Sequence, residues 1–233
     1  MIDQNDWYDG HATSYDKELF TPRGSAVKRR FASLAALAGP ALLDAADGCW
    51  LEIGSGSGIY SAEVAGLGPA SLTVSDLSAE MLKTGLRKYP ASGWRACASD
   101  ASALPFADAS FDLVWAFACF HHIGDTQATF REINRVLRPE GGLCIMEANP
   151  LFPLNILLAL LKPVERGMLS SWPSRWVREA ATAGLRLAGF GCGSFFPGWP
   201  EHAANLYAAT ESILERCPGI NALGIQHYYF FRK

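Results

Sequence analysis

The sequence predicts an α/β fold in which a mostly parallel sheet carries helices on both faces, and three stretches make the case. The first is Cys49-Trp50-Leu51-Glu52-Ile53, an apolar run that ends in Gly54-Ser55-Gly56-Ser57-Gly58 and passes into the helix-forming run Tyr60 to Ala65. Glycine at every second position marks a strand-to-helix turn that visits positive φ and lets a ligand approach bare backbone. The following helix start offers free N–H groups and its positive dipole end. The second stretch is Ser71 to Asp76, a strand ending in an acid, continued by Leu77-Ser78-Ala79-Glu80-Met81-Leu82, where Ser78 can cap the next helix. The third is Ser110 to Phe120, an almost unbroken apolar run, as a central parallel strand buried on both faces requires. Together they predict a nucleotide-type pocket beyond the carboxyl ends of the strands.

Composition narrows the function. The 233 residues fit a single domain over 1–233, since one α/β core commonly reaches about 200 to 250 residues. With 49% hydrophobic and 18% charged residues the chain can bury a core and is not disordered. A net charge of −3 leaves no electrostatic excess for a phosphate backbone, so a small-molecule substrate is expected and nucleic acid is not. Cys49, Cys97, Cys119, Cys144, Cys192 and Cys217 are widely spaced, with no CxxC pair and no Cys/His ligand spacing. With no secretory h-region, they read as reduced thiols of a cytoplasmic protein that holds no metal. The most apolar stretch, Leu151 to Leu161, is far shorter than the ~20 residues needed to span a bilayer. Monomer and homodimer both stay open.

In chain order, residues 1–40 read as an N-terminal arm and helical cap. The arm, 1–16, carries Trp7, Tyr8, His11 and Tyr15 without core periodicity. From Lys17 to Leu37 helices are expected, broken near Pro22 and Gly24, with an exposed basic patch at Lys28, Arg29 and Arg30. The segment 45–148 is the cofactor-binding core. Within it, Trp94 to Ala98 is a third strand, followed by Asp100-Ala101 and Leu104-Pro105-Phe106. Thr126 to Leu137 is an amphipathic helix stopped by Arg138-Pro139-Glu140-Gly141-Gly142, and Leu143 to Glu147 is strand five. The proline-bounded, apolar segment 149–175 reads either as a lid over a hydrophobic substrate or as plain packing. In 176–233 follow a helix from Arg175 to Leu187, a strand reaching Phe196, a helix from His202 to Arg216 and a β-rich end, Gln226 to Lys233. The aromatic residues Trp172, Trp176, Phe195, Phe196 and Trp199 suggest a hydrophobic or aromatic acceptor.

Which nucleotide is bound follows from the glycine spacing. The dinucleotide fingerprint needs a third small residue where this chain has Ile59. Glu52-Ile53-Gly54-Ser55-Gly56-Ser57-Gly58 instead resembles the class I S-adenosylmethionine (SAM) dependent methyltransferases, of the small-molecule type found in ubiquinone and menaquinone biosynthesis. Asp76-Leu77-Ser78 with Met81-Leu82, Asp100-Ala101 with Leu104-Pro105-Phe106, and Arg135-Val136-Leu137-Arg138-Pro139-Glu140-Gly141-Gly142 are similar to further motifs of that family, over about 45–148. The resemblance implies a Rossmann-like sheet of seven strands with the last antiparallel, and SAM as cofactor.

It also implies site residues. Glu52, Gly54, Ser55 and Gly56 belong to the cofactor loop. Asp76, 22 residues beyond Gly54, matches the separation at which a carboxylate after strand two takes the ribose hydroxyls; Leu77 and Met81 follow it. Asp100 and Ala101 would meet the adenine, Phe117 would contact the cofactor, and Tyr15 could face the sulfonium. His122, with His121 beside it, lies after strand four where some related N-methyltransferases place a catalytic histidine. A nicotinamide-dependent oxidoreductase, a non-catalytic SAM-binding protein and a SAM-binding enzyme of other chemistry remain as alternatives.

Overall fold

The computed structural model describes residues 4–17, 24–39, 42, 45, 47–196, 204–214, 217 and 219–233. Seven strands form one sheet: β1 (Cys49–Ile53), β2 (Ser71–Asp76), β3 (Arg95–Ala98), β4 (Phe111–Phe117), β5 (Leu137–Ala148), β6 (Arg186–Gly193) and β7 (Gln226–Arg232), in the order β3-β2-β1-β4-β5-β7-β6. Neighbours from β3 to β5 are parallel, and β7 runs antiparallel between β5 and β6. The chain winds outward in one direction from β1 to β3 and then returns to the other side of β1 with β4. Ligands in open α/β sheets bind at such a reversal.

The described helices are α1 (Gln4–His11), α2 (Ser25–Ala38), α3 (Ser61–Ala65), α4 (Ala79–Lys88), α5 (Thr126–Val136), α6 (Pro153–Leu161), α7 (Pro173–Thr182) and α8 (Ala204–Leu214), with a 3-10 segment over Pro163–Ser170. Local chemistry sets their starts. The Ser78 hydroxyl accepts from the Met81 N–H at 3.1 Å, and Asp125 accepts from the Ala128 N–H at 2.8 Å, so each helix begins on a side-chain cap. Alternation along the central strands feeds two cores. Trp50 and Trp115 pack with Phe31, Leu34 and Val64 on one face, while Leu51 and Val114 pack with Phe130, Ile133 and Trp176 on the other. Burial on both faces is what the unbroken apolar run in β4 encodes.

Several expected boundaries move. The N-terminal arm contains a helix, α1, and a 3-10 turn, Tyr15–Lys17, where no regular element was expected. The helix after the glycine loop has only five residues. Strand five begins at Leu137, because the Arg-Pro-Glu-Gly-Gly segment is absorbed as an irregularity: Phe111 pairs with Leu137 and Leu113 with Gly142, and Glu140 takes φ 64°. Strand six stops at Gly193. The exposed basic patch is also corrected. Lys28 is exposed, but Arg29 pairs with Glu211 at 2.7 Å and Arg30 is buried, bonded to the Ser194 hydroxyl at 3.1 Å, since α2 turns that side against the sheet. Leu19, Phe20, Pro22, Trp199, His202 and Arg216 lie outside the described residues. All six cysteines are free, and among the described residues no helix is long and apolar enough to cross a membrane.

Candidate functional site

A cavity of about 510 Å³ opens at the carboxyl ends of β1, β2, β4 and β5. Its first wall is the glycine loop. Gly54, Gly56 and Gly58 all hold φ between 54° and 79°, and a Cβ on Gly54 would collide with the Cys119 side chain, so the tight turn excludes other residues there. Asp76 closes this end. Its Oδ2 accepts the Gly56 N–H at 2.7 Å and its Oδ1 the Ser78 N–H at 2.9 Å, and the carboxylate lines the cavity. Burial raises its pKa, the backbone N–H groups of Ser78, Gly56 and Leu77 offset part of that rise, and the Asp9 charge adds to it. Asp100 lies at the next strand end with its Oδ1 taken by the Ser102 N–H and hydroxyl, both at 2.8 Å.

Tyr15, Gly54, Ser55, Gly56, Asp76, Leu77, Met81, Asp100, Ala101, Phe117, His121 and His122 all line this one cavity. Glu52 does not. It is buried behind the wall, where desolvation, partly offset by the Ser61 hydroxyl and reinforced by the Asp76 charge, pushes its pKa up to about 8. Phe117 stacks face to face on Tyr60, ring centres 4.5 Å apart.

The 3-10 turn Phe120–His122 follows β4 and brings two histidines against two carboxylates, Glu147 and Glu165. His121 Nδ1 lies 2.6 Å from Glu147 Oε2 and its Nε2 lies 3.2 Å from Glu165 Oε2. Burial alone would lower its pKa, but the Glu147 and Glu165 carboxylates outweigh it and hold the imidazole up at about 10. His122 behaves oppositely. Its Nε2 sits 2.7 Å from Tyr8 Oη and 3.7 Å from Glu165 Oε2, while burial and the His121 charge push it down to about 3. Near neutrality His121 is therefore charged and His122 is not. Successive side chains of an extended segment point to opposite sides. The ring centres of His121 and His122 are in fact 3.9 Å from each other, because both rings turn toward the single Glu165 carboxylate that the 3-10 segment brings to the turn.

The far wall is mainly apolar, built from Met146 of β5, Leu154 and Leu158 of α6, Met168 of the 3-10 segment and Ile225 before β7, with Asn155, Lys162 and Gln226 among them. Among the described residues, the aromatics from which a hydrophobic acceptor was inferred are elsewhere. Trp176 is fully buried against Phe120 and Tyr229, Trp172 is exposed, and Phe195 and Phe196 are not on the cavity wall. The N-terminal arm forms the roof. Asp9 bonds the Ser78 hydroxyl, Asp16 accepts from the Ser57 hydroxyl at 2.5 Å, and Lys88 pairs with Asp16 at 2.6 Å. Sequence reasoning missed Arg30, Tyr8, Glu147 and Glu165 at this site. An acid ending a strand identified Asp76, and the same signal was present at Glu147; Glu165 carries no local signal.

A glycine turn, a carboxylate one strand over and a cavity at the reversal of strand order define an α/β protein that binds an adenosyl cofactor. A family model described as a methyltransferase domain matches residues 51–145. A demethylmenaquinone methyltransferase of Chlorobaculum parvum is 32% identical over 180 residues, 69% of this chain and 73% of that protein. The chain belongs to the class I SAM-dependent methyltransferases. Among solved structures, the [4+2]-cyclase SpnF superposes with TM-score 0.68 at 17% identity, covering 99% of this chain and 94% of that one. Phosphoethanolamine N-methyltransferase 2 of Haemonchus contortus, in complex with SAM, superposes with TM-score 0.67 at 19% identity, covering all of this chain and 59% of that one. These two likenesses speak for the fold, and the first has a cyclase on it, so acceptor and chemistry must be argued from the site.

Proposed function

We propose that this methyltransferase methylates a small hydrophobic acceptor carrying an ionisable hydroxyl, bound in the apolar half of the cavity beneath α6 and the 3-10 segment, which act as its lid. The observation that carries this reading is the order of the walls. The sheet sets the glycine loop at the tip of β1, the histidine turn after β4 and the apolar wall at β5, so the polar cluster stands between cofactor space and acceptor space. The demethylmenaquinone relative supports an acceptor of quinol type.

In this reading Asp76 takes the ribose hydroxyls, and Asp100 and Ala101 meet the adenine. The glycine loop receives the amino-acid end, with the buried Arg30 guanidinium on the same wall as partner for its carboxylate. Phe117 and Tyr15 contact the cofactor. Methyl transfer breaks the sulfur–methyl bond as the acceptor's nucleophilic atom, the hydroxyl oxygen or the ring carbon that the hydroxyl activates, forms its own bond to that carbon. The sulfonium becomes a neutral thioether and the acceptor gives up one proton. His122 Nε2 relays that proton toward solvent, directly or through the Tyr8 hydroxyl, without holding it, since its own pKa lies near 3, and His121 positions it from a site clamped by Glu147 and Glu165. Holding the in-line geometry can supply about 7 to 11 kcal/mol, whereas a general base adds a factor of about 10² to 10⁴. Alignment is the larger effect.

The test is turnover to S-adenosylhomocysteine with a demethylated quinol, measured beside a polar amine acceptor. Preference for the quinol, a kcat reduced about 10²-fold or more in His122→Ala, and SAM affinity reduced about 10²-fold in Asp76→Ala are expected, since two bonds to a charged group are lost. Turnover confined to the amine, or an unchanged kcat in His122→Ala, overturns the acceptor and proton assignments.

A further inference from the structure

We propose that His121, His122 and Glu165 bind one divalent transition-metal ion of the zinc kind, with Glu147 as the outer partner that orients the first ligand. Two imidazole nitrogens and one carboxylate oxygen lie within 4.8 Å of one another. The nitrogen-to-oxygen separations are 3.2 Å for His121 and 3.7 Å for His122. Zinc bonds of about 2.1 Å at tetrahedral angles place neighbouring ligand atoms about 3.4 Å apart, so an ion enters with small side-chain adjustments once the Tyr8 hydroxyl, 2.7 Å from His122 Nε2, gives up that nitrogen.

The surroundings are those of a metal site as well. A ligating histidine ordinarily gives its other nitrogen to a carboxylate, which fixes the tautomer. His121 Nδ1 meets Glu147 Oε2 at 2.6 Å, and Glu147 Oε1 is itself held by the Phe120 N–H at 2.6 Å, leaving His121 Nε2 aimed at Glu165. Glu165 is delivered by close packing. A Cβ on Gly167 would overlap the His121 carbonyl oxygen, so the 3-10 segment can seat on the histidine turn only through a glycine. Two nitrogens and one oxygen suit zinc, cobalt, nickel or iron(II) and disfavour magnesium and calcium, which prefer all-oxygen sets. Three protein ligands leave a position open, the composition of a reactive centre rather than of a closed structural one. Ion entry displaces to solvent the hydrogen between His121 Nε2 and Glu165. The His122 nitrogen also serves the proton transfer proposed above, so the ion-loaded and proton-accepting states of this site exclude each other.

The test uses the full chain, stripped with a chelator and desalted, and titrated calorimetrically with zinc chloride without cofactor or acceptor; cobalt(II) chloride gives a visible absorption readout of nitrogen and oxygen coordination. One equivalent of zinc is expected, with affinity at least tenfold lower in Glu165→Gln, about 10- to 100-fold lower in Glu147→Gln, which removes no ligand, and unchanged in His11→Ala. S-adenosylhomocysteine affinity measured on each variant reports an intact fold. Absence of saturable one-to-one uptake, or equal zinc affinity in wild type and in a folded Glu165→Gln, overturns the proposal. Zinc uptake that persists where the quinol assay fails leaves this inference standing and removes only the acceptor reading.

Discussion

At the scale of single residues, the same side-chain type does opposite work according to what surrounds it. Asp76 ends β2 and Glu52 stands one residue before the end of β1, yet Asp76 lines the cavity and Glu52 is sealed behind it. Glu52 ionises near 4.5 when exposed and near 8 here, with burial as the main cause. A raised pKa means that folding favours the protonated form. Its contribution is complete below pH 4.5 and is lost as pH climbs toward 8. Glu52→Gln should match the wild type at about pH 5 and exceed it at about pH 8.5 by a few kcal/mol, since each tenfold change in a proton-binding constant corresponds to about 1.4 kcal/mol. Thermal melts at the two pH values decide this; a wild type that gains on the variant as pH rises would contradict it. Asp76 was legible because its distance from the glycines and its place at a strand end are properties of the sequence. The depth of Glu52 was not, since burial depends on what packs over β1. Nor was the convergence of His121 and His122, whose shared carboxylate lies more than forty residues downstream in sequence.

Elements written in strong periodicity were readable and those held by partners were not. Strands β1, β2 and β4 and helix α5 follow from apolar runs, caps and an amphipathic stripe. Helix α1 has no buried residue, and the arm that carries it is fastened through Asp9 to Ser78 and through Asp16 to Ser57 and Lys88, contacts no local pattern encodes. The 3-10 segment is similar. Its seat against the histidine turn depends on Gly167, which reads in sequence as one more loop glycine. Gly167→Ala should force the segment off the turn, costing about 1 to 3 kcal/mol as overpacking does. The expected signs are a lower melting temperature and a weakened hold of Glu165 on His121. The second is visible as a fall in the His121 pKa by NMR titration, because loss of that carboxylate removes one of the charges that hold it up. A variant with unchanged melting temperature and unchanged His121 titration would show that the contact gives way freely.

At the scale of the whole molecule, the cavity is assembled from parts far apart in the chain: the arm, the glycine loop, three strand tips, the 3-10 segment and the approach to β7. A ligand filling it therefore ties these parts together and should stabilise the fold as a unit. At a concentration one hundred times its Kd, S-adenosylhomocysteine contributes about 2.7 kcal/mol. In a chain of this size each kcal/mol raises Tm by about 2 to 4 °C, so a rise of about 5 to 11 °C is expected. Asp76→Ala, weakened about 10²-fold, would stand near its own Kd at that same concentration and keep only about 0.4 kcal/mol, a shift of about 1 to 2 °C. The comparison separates two ways in which the substitution could fail. If Asp76 serves the ribose, the ligand-free melts of the two proteins agree and only the ligand-induced rise collapses. If instead its bonds to Gly56 and Ser78 chiefly hold the loop, the ligand-free variant already melts lower, and the rise it shows at saturating ligand approaches that of the wild type.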